Sequence, residues 1–341
     1  MSEPLKIVFV GAGFIAGKHC SLLKQRPDVR IVGACDTAPG IAARLLEEQG
    51  LPGARGYTDL ETLLDKEQPD LAYVCLPPFA HDGQVEKLAA QGVHLFVEKP
   101  IALDSTRAAR MVAAVDEAGV KSQVGFHMRF LKSVRLLCDK ISSGEAGRPL
   151  LFDGRYWANF SGKAWWKDQS RSGGQIFEQV CHIYDTARYL LGEPVRAHGA
   201  LARLGHEEDS EYTVEDTSAS LITFADGAVA SITGSNCALP TRFVGDFRVV
   251  CERAVLDFHS EGDWRVPDEA KLWMHDGGEI AEPILIREDG DPFAAETEDL
   301  IRAIREDRPT VTPIREGLET IRLIERVRDE QPIAARQMSP A

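Results

Sequence analysis

Three residues capable of acid–base chemistry share one stretch of the chain. Glu178, His182 and Asp185 lie at i, i+4 and i+7, a spacing that puts all three on one face of a helix. Around them run apolar residues such as Ile176, Phe177, Val180, Ile183 and Leu190. Burying unpaired polar groups is expensive, so a polar stripe on an apolar helix needs a reason. Either the face borders a wet or ligand-lined cleft, or the groups satisfy one another in the core, with His182 hydrogen-bonded to Asp185 or Glu178. The stripe taken alone favours the satisfied network. A histidine titrates near neutral pH and can take a proton from a hydroxyl, and a neighbouring carboxylate can orient it and raise its basicity. A second candidate is Lys99, in Glu98-Lys99-Pro100 at the exit of an apolar run over residues 93–97. A lysine there can bring charge or a proton donor into a site and stabilise a developing alkoxide. The plain alternative is a solvated Glu-Lys pair before a proline.

A different chemistry is written near the N-terminus. Gly11-Ala12-Gly13-Phe14-Ile15-Ala16 fits the pattern G-x-G-x-x-[G/A], directly after the apolar run 5–10 and at the start of a helical stretch. Gly11 permits a tight turn, Gly13 lets the backbone approach a pyrophosphate, and small Ala16 allows helix and strand to pack closely. The helix start then offers free N–H groups and a partial positive charge to phosphates. A glycine pattern alone also marks ordinary turns. Here Asp36 ends the next strand, where a carboxylate can accept hydrogen bonds from an adenosine ribose. That carboxylate would repel a 2′-phosphate, so NAD is expected over NADP, with Arg44 close enough to soften the preference. Cys75-Leu76-Pro77-Pro78-Phe79-Ala80-His81 stops another strand sharply. Its loop, with Leu76, Pro77 and His81, is expected to flank the adenine or the nicotinamide ribose.

The elements that must hold these groups alternate. Strands are expected over residues 5–10, 30–35, 71–75 and 93–97, and helices over 41–49, 80–91 and 105–118. The last has Asp104 or Ser105 as N-cap and Gly119 as its stop. This alternation argues for a doubly wound parallel sheet. Beyond about residue 125 the pattern becomes β-rich over 151–160, 214–224, 228–236 and 244–258, with Asp226-Gly227 a hairpin signal. Helical periodicity returns over 294–305 and 316–329. The fold class is therefore α/β followed by α+β. Residues 1–125 are expected as the NAD(P)-binding Rossmann domain and 126–341 as the α+β substrate and oligomerisation domain, with a ligand cleft between them.

Composition narrows the partners. The chain has 341 residues and a formal charge of −14, which argues against nucleic acid and anionic membrane. No run reaches the length of a membrane span and the opening residues lack a signal-peptide pattern, so the cytoplasm is the expected location. The 7 cysteines are scattered without a CxxC pair, so neither a disulfide framework nor a metal centre is expected. The acidic run 207–215 reads as a solvated loop.

Together these residues resemble the Gfo/Idh/MocA family of sugar and cyclitol oxidoreductases. The likeness rests on GAGFIAGKH at 11–19, CD at 35–36, CLPPFAH at 75–81, EKP at 98–100 and SGGQIFEQVCHIYD at 172–185. It spans residue 5 to about 192, and the later half is compatible with it. The resemblance implies a Rossmann domain followed by a large open, mainly antiparallel sheet, through which subunits associate as a homodimer or homotetramer. It also implies hydride transfer between a nicotinamide and a hydroxyl-bearing carbon of a small polyol. By the same resemblance Lys99 contacts the reacting hydroxyl and His182 gives or takes its proton. Glu178 is expected as orienter or clamp, Asp185 near the substrate, and Phe14, Ile15 and Glu98 among the cofactor contacts. His127, where the family often places a substrate-facing polar group, is either a substrate contact or an interdomain structural histidine. With Lys99 and this pattern added, the 178–185 stripe reads as a site. Glu178 stands where many members have aspartate and Val180 where glycine is common, so the usual substrate geometry does not carry over. The aromatics Trp165 and Trp166 either cover a ligand or anchor a loop on the core. Two rival readings remain: a redox-neutral NAD-dependent glycosidase and a non-catalytic dinucleotide-binding regulator.

Overall fold

The computed structural model describes residues 3–159, 164–263 and 267–329. Contacts divide the chain into two compact units, Met1–His127 with Asp291–Leu318, and Met128–Gly290 with Glu319–Ala341. This differs from the expected single boundary at residue 125, because the chain returns to the first unit at Asp291. Hydrophobic burial explains the return: Leu300 and Ile301 complete the apolar cluster of Phe9, Ala16, Tyr73 and Phe96.

In the first unit six strands, β1 (Leu5–Val10), β2 (Val29–Cys35), β3 (Arg55–Tyr57), β4 (Leu71–Val74), β5 (His94–Val97) and β6 (Ser122–Val124), form one parallel sheet. Their order is β3-β2-β1-β4-β5-β6. The order reverses beside β1, and ligands of such sheets bind beyond the carboxyl ends of the strands at that point. β4 is buried along its whole length, as a strand covered on both faces must be. The Ser105–Ala118 helix has the expected ends: the Asp104 carboxylate accepts the Arg107 N–H at 2.8 Å, and Gly119 closes it at φ 66. The helix expected over 80–91 is shorter. Gly83, at φ 91, separates a turn at Pro78–Ala80 from the Gln84–Ala90 helix.

In the second unit β7 (Pro149–Asn159), β8 (Pro194–Ala202), β9 (Thr217–Phe224), β10 (Val229–Pro240), β11 (Phe243–Cys251), β12 (Ala254–His259), β13 (Glu269–Met274) and β14 (Ile284–Arg287) make an eight-stranded sheet. Neighbours run antiparallel except β7 and β10. Asp226-Gly227 turns β9 into β10 as expected. The run expected over 244–258 resolves into two strands, β11 and β12. One sheet face buries Phe152, Ile222, Ile232 and Val249, and β7 packs on the Cys181–Leu191 helix. The other face exposes Leu151, Leu221, Val229 and Leu285, the alternation of a sheet with one open side.

Candidate functional site

The glycine-rich turn joins β1 to the Phe14–Leu23 helix. Gly11 sits at φ 89, and a Cβ there would lie 2.5 Å from the Cys75 carbonyl oxygen, so only glycine passes. Gly13 is the N-cap residue, makes no side-chain cap, and has no neighbour within 4 Å of where a Cβ would stand. The first helical turn carries no acidic residue. The N–H groups at this helix start are therefore open, with the dipole's positive end facing outward, which suits a phosphate anion. Phe14 is exposed and Ile15 half-buried beside it. Asp36 is tied to the same turn: its Oδ2 accepts the Ala12 N–H at 3.1 Å and its Oδ1 the Ala38 N–H at 3.0 Å. Each oxygen keeps a further lone pair, enough for ribose hydroxyls. Arg44 pairs with Glu48 at 3.8 Å. Leu76 and Pro77 are half-buried on the loop after β4. This donor set fits a dinucleotide.

Two expected cofactor contacts turn inward instead. Glu98 is buried, its Oε1 2.8 Å from His19 Nε2 and its Oε2 accepting the Lys99 N–H at 3.2 Å. Gly125 makes room for it, since a Cβ there would stand 3.0 Å from that oxygen. Held from two sides, this carboxylate supports the loop from within. His81 is likewise buried, and burial, aided by the Arg107 charge, pushes its pKa down to about 4. Lys99 remains partly exposed. His127 stacks on Phe293 at 4.5 Å between ring centroids. Burial and then the charges of Lys99, Lys18 and His19 hold that imidazole neutral, with its pKa lowered to about 3. Nearby Glu296 is fully buried and its carboxyl is held well above the usual range, first by burial and then by the Glu98 charge.

The stripe of the second unit is built differently from the expected continuous helix. Glu178 ends a short helix, Gln175–Glu178, and His182 and Asp185 lie on the next, Cys181–Leu191. Gln179, at φ −119, breaks the path between them. His182 is buried and its ring lies 6.4 Å from that of Tyr156 on β7, at an interplanar angle of 23°. Asp185, expected near the substrate, is 0% exposed. Its Oδ2 accepts the Arg129 Nε–H at 2.8 Å and its Oδ1 accepts an Arg129 Nη2–H at 2.6 Å. A buried bidentate guanidinium pair is structural, and a fully covered carboxylate cannot reach a ligand. Trp166 is also corrected. It is 1% exposed, packed with Tyr212 and Val214, so it anchors its loop on the core. The acidic run is not wholly solvated either, because Glu215 is buried and accepts the Ile176 N–H at 2.7 Å.

His19, Arg129, Tyr156, Glu215 and Glu296 were not singled out by spacing. Their partners lie far along the chain, and only the pairing of His19 with the EKP glutamate has a trace in the motifs. One cluster, His206, Asp216 and Cys237, brings possible metal ligands within 4.8 Å of one another. Asp216 already accepts from the backbone N–H groups of Leu204, Gly205 and His206, from His206 Nδ1 and from the Thr217 hydroxyl. The lone pairs a cation needs are taken.

Two models of known families match the chain. The model of the oxidoreductase family with an NAD-binding Rossmann fold covers residues 5–126, and the GFO/IDH/MocA C-terminal domain covers 134–257. The chain is similar to the D-glucoside 3-dehydrogenase of Escherichia coli, with 27% identity over 249 residues, 67% of this chain and 69% of that protein. It is also 27% identical over 239 residues to the scyllo-inositol 2-dehydrogenase (NAD(+)) of Bacillus subtilis, covering 69% and 68% of the two. The solved structure of levoglucosan dehydrogenase in complex with NADH and levoglucosan matches with a TM-score of 0.86 at 21% identity, over 96% of this chain and 98% of that one. At that identity the structural match speaks for the fold.

Proposed function

The chain belongs to the Gfo/Idh/MocA oxidoreductase family, and from that membership we propose that it is an NAD-dependent dehydrogenase of a sugar, cyclitol or related polyol. The observation that carries the reading is the open helix start at Gly13 with Asp36 tied to the same turn. NAD, when bound, supplies the hydride acceptor at a carbon bearing a hydroxyl. The N–H groups opening the Phe14–Leu23 helix hold its phosphates, and Asp36 accepts from its adenosine ribose and disfavours a 2′-phosphate. Leu76 and Pro77 line its loop. His182 takes the proton of the substrate hydroxyl, and the Lys99 ammonium stabilises the oxyanion that forms. Glu178 holds neighbouring hydroxyls or orients the imidazole, with one methylene more of reach than an aspartate. His127, kept neutral, accepts or donates one hydrogen bond to the substrate. The open face of the eight-stranded sheet pairs with a second copy of the chain, giving a homodimer or homotetramer. Cysteines that form no disulfide among the described residues suit a reducing compartment such as the cytoplasm.

The test is NAD+-linked oxidation of a panel of glucosides and cyclitols, led by methyl β-D-glucoside and scyllo-inositol. The wild type reduces NAD+ on at least one of them, and His182→Ala and Lys99→Ala each lower kcat by about 10²–10⁴. Near-normal turnover by both variants sinks the assignment.

A further inference from the structure

The segment bearing Glu178 and His182 starts at an unusual joint. Gly173 and Gly174 both adopt positive φ, 80 and 102, and the Gln175–Glu178 helix that follows has no cap from its own N-cap side chain. The cap comes from 39 residues further along the chain: Glu215 Oε1 accepts the Ile176 N–H at 2.7 Å. The backbone amide of Gln175 also favours the ionised carboxylate. Gly174 is what lets it approach, because a Cβ at that position would overlap Glu215 Oε2. Glu215 precedes β9, and the Asp216 that follows it is bound to five donors. The carboxylate therefore hangs from a fixed strand end rather than from a mobile loop.

We propose that Glu215 is a positioning residue for the catalytic segment, its carboxylate fixing the start of Gln175–Glu178 and through it the placement of Glu178 and His182. This rests on the reading of Glu178 and His182 as groups that meet the substrate. Two turns hang from the capped end. The Val180 N–H bonds to the Gln175 carbonyl at 3.1 Å, and the His182 N–H to the Gln179 carbonyl at 3.3 Å. A shift at Gln175 is passed along that path to the imidazole. Such a shift matters because a small misplacement of a reacting group lowers rate without removing binding.

The charge state of Glu215 also enters. Burial raises its pKa to about 7, opposed by the amides of Ile176, Glu215 and Gln175 and by the Arg328 charge. Its other titratable neighbours are Tyr184 of the Cys181–Leu191 helix and Tyr212 of the preceding loop, both of whose phenols feel its charge and stay neutral. An ionised carboxylate accepts from every N–H at the joint. A protonated one gives up acceptor capacity, so the cap weakens as pH falls through the neutral range.

The experiment compares wild type, Glu215→Gln and His182→Ala on methyl β-D-glucoside and scyllo-inositol, with NADH affinity measured alongside. Expected for Glu215→Gln is unchanged NADH affinity, kcat lowered roughly tenfold, and loss of the part of the acid limb of kcat centred near pH 7. Amide hydrogen exchange over residues 175–182 rises in that variant at neutral pH. A folded Glu215→Gln with the kcat, KM and pH profile of the wild type overturns the proposal. Where Glu215→Gln does not fold, Glu215→Asp keeps the charge but shortens the reach. An Asp variant with lowered kcat and normal NADH affinity supports positioning. One that is fully active, or also unfolded, overturns it. If His182→Ala keeps normal turnover, or the wild type oxidises neither probe, the underlying reading fails and takes this proposal with it. If His182→Ala is inactive while Glu215→Gln is normal, only the positioning role fails.

Discussion

Asp36 does two things with one carboxylate: it ties down the glycine-rich turn through Ala12 and Ala38 and keeps lone pairs for a ribose. The ribose role was open to sequence reasoning, because the strand, turn and acid are local, whereas the tie to Ala12 and Ala38 came only with the structure. Asp185 was not legible in the same way. Its spacing from Glu178 and His182 suggested a shared face, whereas Arg129, 56 residues upstream, binds it in the interior. Removing one partner of a buried ion pair strands the other charge, so Asp185→Ala is expected to lower the stability of the folded chain by about 3–5 kcal/mol. Urea unfolding of the variant checks this, and a change within the range of a surface substitution would contradict the buried pairing. Trp166 teaches the same lesson in reverse: an aromatic pair on a loop looks like a ligand cover until Tyr212 and Val214 are found beneath it.

Among the elements, those whose ends are set by local chemistry were readable in advance. The Ser105–Ala118 helix follows from Asp104, its periodic core residues and Gly119. The β9–β10 hairpin follows from Asp226-Gly227. The break between Gln175–Glu178 and Cys181–Leu191 did not, because no glycine or proline marks it within residues 175–191 and the cap is supplied by Glu215, just before β9. That cap carries a linkage consequence. Glu215 has a folded pKa of about 7 against an ordinary value of 4.5, so between those values the folded chain holds a proton that the unfolded chain has lost. Its contribution is therefore fully present below about pH 4.5 and lost as pH rises through about 7, an effect on the order of 3 kcal/mol. Compared with Glu215→Gln, the wild type is expected to lose stability over that window, measured by denaturant melts at several pH values. A constant difference between the two proteins across the window would contradict it. The charge that suits the cap on Gln175–Glu178 thus weakens the fold, a tension of the kind working sites carry.

For the whole molecule, the α/β class and the mainly antiparallel second sheet were legible from alternation and turn signals. The return of Asp291–Leu318 to the first unit was not, since a helix with an apolar face gives no address for it. Among the described residues no helix is long and apolar enough to cross a membrane. The exposed Leu151, Leu221, Val229 and Leu285 lie on one sheet face, where the charged row Asp153, Arg248, Asp257 and Lys271 runs between Leu221 and Leu285, a mixed polar and apolar surface of the composition non-obligate interfaces have. If the wild type self-associates through this face as proposed, Leu221→Asp combined with Leu285→Asp is expected to sediment as a monomer where the wild type does not, and a monomeric wild type would contradict the proposal. The central claim, that this chain binds NAD through the Gly13 helix start and Asp36, is tested most directly by calorimetric titration of the cofactor-stripped protein with NADH and NADPH. The account predicts tighter binding of NADH, with the preference relaxed by at least about tenfold in Asp36→Ala, the change in affinity that about 1.4 kcal/mol represents. Equal or tighter binding of NADPH would overturn the role of Asp36, and binding of neither would contradict the account.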